Sequence, residues 1–477
     1  MTSAVNIFLV VFVSSTIFVG FWSPIAGASY FISVFPLWLF AWIVRNRSPL
    51  IFTPVFGAVL SFFAFYFIRP LFLMQHRELY PYGIVGVPSD TILIQALMLQ
   101  GLFAFAFTFG LYFVLHVRGS QLRIPANMLG AGVIARLGSA FLIILLVLSV
   151  FWLGLFIFTG AGQKLVTTWT NLVLLVLPVS LVLPAAIGYF GRRFTTSLSL
   201  SQRTFALLII LLNVMIYLFA GSKSGIFLVI LYVAFYKFLL GGNIRVRVVR
   251  SVVLGAVAVM TIFLAVILAN VAKYSNVRGM STALLFVQTI QLENIFLFLI
   301  DKITFRLNGF DGSIATIATH PLEFEKYANW SNILQSGMAQ LLPGVSVDRF
   351  SLGKAVSVYF GGRPEDVANA GALGLVGIIY FMHGSFFGFF VAGLFGVFFG
   401  LAFRISAYVG RIGHLERLIV FLVMCHMQAF WISSGNLDKL IQELGITSIH
   451  LIFYYCLISL VVRPNGHRRR ANDDVVK

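Results

Sequence analysis

Charged residues are scarce in this chain of 477 residues: Asp, Glu, Lys and Arg make up 10% of it. An average soluble domain is about a quarter charged. Apolar residues reach 60%, the mean hydropathy is +0.98, and the apolar residues fall in long runs that one aqueous core could not absorb. The composition therefore predicts an integral membrane protein and excludes an ordinary soluble domain.

Acidic residues are few, with 15 Asp and Glu against 33 Lys and Arg, and the formal net charge is +18. In a membrane protein an excess of Lys and Arg is the topological signal of cytoplasmic loops. We therefore interpret the charge as a sign of orientation and expect no nucleic-acid partner.

Cysteine is nearly absent, since Cys425 and Cys456 are the only two and both lie in apolar runs. A disulfide framework would have nothing to hold there. No set of His, Cys and carboxylate residues shows the spacing of a metal site, so we expect no metal and no cofactor. The first apolar run, from about Ala4 to Trp22, lacks the basic segment of a signal peptide, and we expect it to remain as a span.

The apolar runs predict an all-α polytopic membrane protein with about 12 transmembrane helices, because a helix needs about 20 apolar residues to cross the hydrocarbon. The predicted spans lie near 4–22, 29–44, 50–68, 92–117, 138–159, 171–191, 204–220, 225–241, 251–270, 371–403, 418–434 and 447–462.

Four regions follow from this count. Lys and Arg concentrate in alternate loops, which places both termini in the cytoplasm and the long polar loop on the outer face. The regions are the N-terminal spans 1–270, the long outer loop 271–370, the last spans 371–462 and a basic tail 463–477.

The segment 283–300 inside the long loop is apolar but carries a stripe of Gln and Asn at three-residue spacing. We expect it to lie in the membrane interface or to re-enter the membrane. An alternative with fourteen spans would let 283–300 cross the membrane and would also split 371–403 into two crossings at His383-Gly384.

Ionisable side chains near the outer membrane boundary are the best candidates for chemistry, because a charge there is costly and tends to mark a functional path. Arg306 and Asp311 flank an Asn-Gly turn signal in the long loop. They could clamp an anion, or they could form a surface ion pair with each other. Lys223 lies at the apex of a Gly-Ser-Lys-Ser-Gly hairpin, as a second anion-binding cation or as a solvated side chain.

Arg363, Glu365 and Asp366 lie at the mouth of the span that begins near residue 371. A carboxylate there could act as a general base toward a sugar hydroxyl. Alternatively, the two acids stabilise the first turn of the following helix. A smaller outer cluster also allows a functional or a structural role: Arg69, His76, Arg77 and Glu78.

Small residues recur every fourth position in the span near 371–403, at Gly384, Gly388, Ala392, Gly396 and Gly400. This spacing predicts a close-packing face against another membrane helix. The histidines in and after this span, His383 and His426, are interpreted as core residues rather than ligands.

Four features in order make the chain similar to the bacterial Wzy-type O-antigen polymerases, most clearly over 221–404. They are the hairpin around Lys223, the basic inner loop after it, the run Phe305-Arg306-Leu307-Asn308-Gly309-Phe310-Asp311, and the stretch from Ala368-Asn369-Ala370-Gly371-Ala372-Leu373-Gly374 to Gly384-Ser385-Phe386-Phe387-Gly388. Two positions depart from the family pattern, since Lys223 replaces a common Arg and Phe381-Met382-His383-Gly384 replaces a common Asn-Phe-Gly.

The resemblance implies a metal-independent glycosyltransferase with a helical fold like the GT-C-related polymerases and ligases. It would act at the periplasmic face of the bacterial inner membrane, on oligosaccharide repeat units carried by undecaprenyl diphosphate. Membrane lipid and a chain-length regulator protein would be further partners. On this resemblance Arg306 would bind the diphosphate, and further candidates for this role are Arg278, Lys223 and Arg363. The base that deprotonates the acceptor hydroxyl would be Asp311, Asp366, Glu365 or His320.

Two other functions stay open at this stage. An O-antigen ligase would transfer the finished chain to the lipid A core, although the His-Asn motif usual in that family is not found. A flippase or transporter of lipid-linked sugars would place ionisable residues in the middle of several spans. Here the cations cluster at loop boundaries, which favours the enzyme.

Overall fold

The computed structural model describes residues 2–45, 62–116, 142–151, 200–219, 309–341, 352–362 and 372–410, with single positions at 182, 186, 437, 438, 441, 445 and 449. Every regular element within these ranges is a helix, so the fold is all-α. The chain divides into two compact units. The first comprises Met1–Ile124, Ile290–Val409 and Met424–Gln442, and the second comprises Pro125–Thr289, Gly410–Val423 and Glu443–Lys477.

The first unit holds the functional candidates that the structure describes. Its helices are α1 (Thr2–Trp22), α2 (Pro24–Arg45), α3 (Arg69–Leu73), α4 (Asp90–His116), α7 (Gly309–Ala318), α8 (Trp330–Leu341), α9 (Leu352–Tyr359) and α10 (Gly374–Gly410). A π-helical turn, Ala64–Ile68, leads into α3, and 3₁₀ turns cover Arg77–Leu79 and Leu322–Lys326.

The second unit contains α5 (Leu142–Phe151) and α6 (Leu200–Phe219). The buried amide of Asn213 on α6 donates to Ser149 Oγ on α5 over 2.9 Å and to the carbonyl of Ile209 over 2.8 Å. Such polar contacts join helices whose other surfaces are apolar.

Within the described ranges, two helices are long and apolar enough to cross a membrane: Asp90–Val114 in α4 and Gly374–Leu401 in α10. They coincide with the predicted spans 92–117 and 371–403. In α1, α2, α5 and α6 the residues with described side chains form shorter apolar stretches: Val10–Phe21, Pro24–Leu39, Leu142–Phe151 and Thr204–Met215. The count of twelve spans stays a prediction, because several of the predicted spans lie outside the described residues.

The small-residue stripe of α10 is a packing face from Gly388 to Gly400, as its spacing predicts, whereas Gly384 makes no such contact. A Cβ added to Gly396 would lie within 3.0 Å of the backbone of Phe107 on α4, and one added to Gly400 would lie 2.9 Å from Val114 Cβ. Because these positions have no side chain, the backbones of α4 and α10 approach closely.

Gly384 interrupts α10. Its φ of 67° and ψ of −167° are not helical, although the chain is helical on both sides. A residue with a Cβ rarely adopts this backbone conformation, and glycine adopts it readily. The break separates a buried N-terminal segment from a segment with exposed Phe386, Phe387 and Phe390.

Candidate functional site

Helix α7 brings the Asp311 run into the core of the first unit. Residues Gly309 through Thr316 are all buried. The hydroxyls of Ser313 and Thr316 donate to backbone carbonyls within the helix, over 3.3 Å to Gly309 and 3.0 Å to Gly312. These bonds allow polar residues to be buried among apolar neighbours. The predicted loop with an Asn-Gly turn is therefore a packed helix from Gly309 onward.

Asp311 forms an ion pair with Arg69, and both side chains are completely buried. Arg69 Nε lies 3.3 Å from each carboxylate oxygen of Asp311. A second guanidinium nitrogen, Nη2, donates to the carbonyl of Leu79 over 3.3 Å. Buried charges persist only when they are paired and hydrogen-bonded. Arg69, one member of the smaller outer cluster, is therefore a buried residue of the protein core that pairs with Asp311.

Tyrosines surround the ion pair. Tyr80 OH donates to the backbone carbonyl of Asp311 over 3.0 Å, and Tyr82 OH donates to the carbonyl of Ala372. Burial raises the pKa of both phenols, and the negative charge of Asp311 raises the pKa of both further. Both tyrosines therefore stay protonated and act as hydrogen-bond donors that hold α7 and the start of α10 in place.

The backbones of α7 and α10 touch at glycines. A Cβ added to Gly312 would lie within 3.0 Å of three backbone atoms of Leu373. Gly374 has a φ of +70°, and its added Cβ would lie 2.8 Å from Gly309 Cα. The two segments that carry the family resemblance in this unit, 305–311 and 368–374, thus meet at their described ends.

A buried aromatic cluster begins directly after α7. The rings of Phe324, Phe360 and Phe381 are buried and meet edge to face, with centroids 4.9 to 6.1 Å apart. The imidazole of His320 stacks on Phe381 with centroids 4.2 Å apart. The ring of His320 is therefore held in a fixed plane at the protein surface.

His320 also pairs with a carboxylate. Its Nε2 lies 3.1 Å from Glu325 Oε1, and the side chains are 51% and 55% exposed. When Nε2 carries the proton and donates to Glu325, Nδ1 is the basic nitrogen of the neutral ring. A histidine oriented by a carboxylate is the arrangement that enzymes use to take a proton from a hydroxyl group.

A second histidine contact links α8 to α10. Trp330 Nε1 donates to His383 Nε2 over 3.1 Å, and the ring centroids are 6.0 Å apart. Because Nε2 accepts this bond, the proton of neutral His383 is on Nδ1. His383 is therefore partnered, and it precedes the break at Gly384 by one residue.

The rest of the smaller outer cluster forms surface pairs. His76 Nδ1 lies 3.2 Å from Glu78 Oε1, and Arg77 pairs with Asp90 at the start of α4. A hydrogen bond from its own backbone lowers the pKa of Glu78, and His76 lowers that pKa further. Such exposed pairs contribute little to stability.

Of the predicted site residues, the described ranges include only Asp311 and His320. The others lie outside them: Arg278, Arg306, Lys223, Arg363, Glu365 and Asp366. The segment 283–300, the tail 463–477 and His426 also lie outside. Among the residues whose side chains are described, no group of three His, Cys, Asp or Glu residues could hold a metal ion.

The two groups differ in what they can do chemically. Asp311 has no solvent exposure and its carboxylate is paired, so in this conformation it cannot reach a substrate. His320 and Glu325 face solvent and can exchange a proton with a bound hydroxyl. Comparison with known proteins adds no assignment, since no family model, no curated protein and no solved structure matches the chain.

Proposed function

We propose that this chain is a membrane glycosyltransferase of the Wzy type, which joins undecaprenyl-diphosphate-linked oligosaccharide repeat units into a surface polysaccharide. In this proposal about 12 helices span the bacterial inner membrane, both termini are cytoplasmic, and the long loop faces the periplasm. The observation that carries the proposal is the exposed His320–Glu325 pair, held on a buried aromatic cluster directly after the buried α7 run.

The reaction needs a base and a means of stabilising the leaving group. A sugar hydroxyl of the acceptor unit attacks the anomeric carbon of the donor, the new glycosidic bond forms, and the bond to the lipid diphosphate breaks. His320 Nδ1 takes the hydroxyl proton, and Glu325 stabilises the resulting imidazolium. Cationic side chains stabilise the negative charge of the leaving diphosphate. The candidates for this role are Arg306, Arg278, Lys223 and Arg363.

Aromatic rings with polar groups at their edges also suit a sugar substrate. The apolar faces of a sugar ring pack on aromatic side chains, whereas its hydroxyls need hydrogen-bond partners. Among the described residues, the exposed imidazole of His320 is the ring on which such a face would pack, since Phe381 beneath it is buried, and Glu325 beside it accepts hydrogen bonds.

Deletion of the gene in its bacterial host should leave lipid A core carrying one repeat unit, with no ladder of longer glycans. Gel analysis of the surface glycolipid, with parallel extraction of lipid-linked intermediates, measures this. Polymer accumulating on the lipid carrier would instead indicate a ligase, and single units retained on the inner leaflet would indicate a flippase. An unchanged ladder would refute the proposal.

Replacement of His320 by Gln should lower the rate of chain extension by about 100-fold or more, because general-base catalysis contributes at least that much. The E325Q variant should lower this rate less, since the imidazole base remains and only the carboxylate that orients it is lost. Extension of labelled lipid-linked units by purified protein in liposomes measures both rates.

The matched control for these variants is H76Q, which removes another exposed histidine that pairs with a glutamate. Its extension rate should equal that of the unaltered protein. An H320Q variant that folds, inserts and extends glycans at the H76Q rate would exclude His320 as the base.

A further inference from the structure

Helix α8 presents an apolar stripe on its surface. Trp330, Leu334 and Met338 are 39%, 52% and 50% exposed, and their four-residue spacing places them along one side of the helix. Ile333 and Gly337 lie toward the protein, where an added Cβ on Gly337 would be 2.7 Å from Ile441 Cβ. The helix therefore packs on the first unit along one edge and exposes large apolar side chains beside that edge.

The composition of α8 limits what could cover this stripe. Its sequence, WSNILQSGMAQL, contains no charged residue. The exposed neighbours of the stripe are the uncharged polar residues Ser331 and Gln335. An acidic or basic partner would find no complementary charge on this helix, whereas the boundary between lipid headgroups and acyl chains accepts an uncharged amphipathic helix.

The stripe is continuous with the exposed apolar surface of α10. Trp330 at the start of α8 donates its indole N–H to His383, and the chain breaks at Gly384. Exposed Phe386, Phe387 and Phe390 follow at once on a helix that is long and apolar enough to cross a membrane. Tryptophan is enriched at this depth in membrane proteins, because its ring is apolar and its N–H needs a polar partner.

We infer that α8 lies flat at the periplasmic surface of the inner membrane. Its side chains Trp330, Leu334 and Met338 would lie at the boundary between headgroups and acyl chains, in the leaflet that α10 enters. This inference rests on the membrane placement in the proposed function and not on the polymerase reaction. It assigns α8 the role of holding the His320–Glu325 pair, which lies on the segment just before it, near the level of the lipid diphosphate.

A fluorescence experiment tests the position of α8. In a chain carrying C425A and C456A, the variant L334C is labelled with a bimane fluorophore and placed in phosphatidylcholine nanodiscs with or without nitroxide-labelled lipid. We expect quenching at residue 334 to exceed that at the matched variant Q335C by about twofold or more, because residue 335 lies about 100° around the helix. Replacing half of the lipid by anionic phosphatidylglycerol should leave the pattern unchanged.

F390C in α10 serves as the reference for membrane insertion. If F390C is quenched while L334C and Q335C are equal, α8 does not lie in the interface although the protein spans the membrane. Disulfide cross-linking of L334C between two copies would also overturn the inference, because a second copy would then cover the stripe. An F390C signal that lipid does not quench would refute the membrane placement itself.

Discussion

Replacement of Arg69 by Met is expected to lower the free energy of unfolding of the first unit by about 3–5 kcal/mol, because it leaves a buried carboxylate without its partner. Both side chains of the pair have no solvent exposure. The ion-pair contact between α7 and α3 would also be lost. Thermal unfolding of the detergent-solubilised protein and the yield of membrane-inserted protein measure the loss.

Two further variants test whether the loss of stability comes from the unpaired buried charge. R77M removes a partly exposed partner of the exposed Asp90 and should cost less than about 1 kcal/mol. The double variant R69M/D311L removes both charges and should recover most of the lost stability, since replacing a buried pair by apolar residues is often neutral. If R69M is as stable as R77M, the buried pair is not a structural element. A stable double variant that lacks the proposed activity would show that the pair also positions residues of the site.

Replacement of Gly312 by Ala should be nearly as damaging, with a loss of about 3 kcal/mol or more. The added methyl group would meet three backbone atoms of Leu373, which cannot move aside as the end of a flexible side chain can. Helix α7 would have to shift away from the start of α10, and the packing around Asp311 would shift with it. The melting temperature and the susceptibility of the folded protein to protease report this change.

Gly20 in α1 provides the matched control, because nothing lies within 4 Å of the Cβ that it would gain. G20A should be neutral or stabilising by up to about 1 kcal/mol, since alanine favours a helix more than glycine does. Equal melting temperatures for G312A and G20A would mean that α7 and α10 do not touch at Gly312.

The helical class and the close-packing face of α10 could be predicted from the sequence, because both depend on local patterns. Long apolar runs encode α4 and α10. The four-residue spacing that includes Gly396 and Gly400 encodes a face on which a neighbouring backbone can pack. Such patterns repeat within a few turns of one helix and can be read without knowing the partner.

The buried ion pair could not be predicted, because Arg69 and Asp311 are 242 residues apart and neither has a local signal for the other. Arg69 follows an apolar run, which is also where a snorkelling side chain occurs, and only the fold shows that it points inward. His320 was a candidate base, but Glu325 was not singled out. Their pairing depends on the 3₁₀ turn at Leu322–Lys326, whose geometry does not follow from residue composition.

The break at Gly384 has a mechanical consequence. An unbroken helix behaves as a rod, so a membrane helix that tilts to match the thickness of the bilayer carries any attached segment with it. At Gly384 the backbone dihedrals are not helical, and outside its own part of the helix no atom lies within 4 Å of where a side chain would begin. In the proposed membrane placement, the break therefore lets α10 change direction at Gly384, so that the later segment follows α4, on which it packs at Gly396 and Gly400, while the earlier segment follows α7.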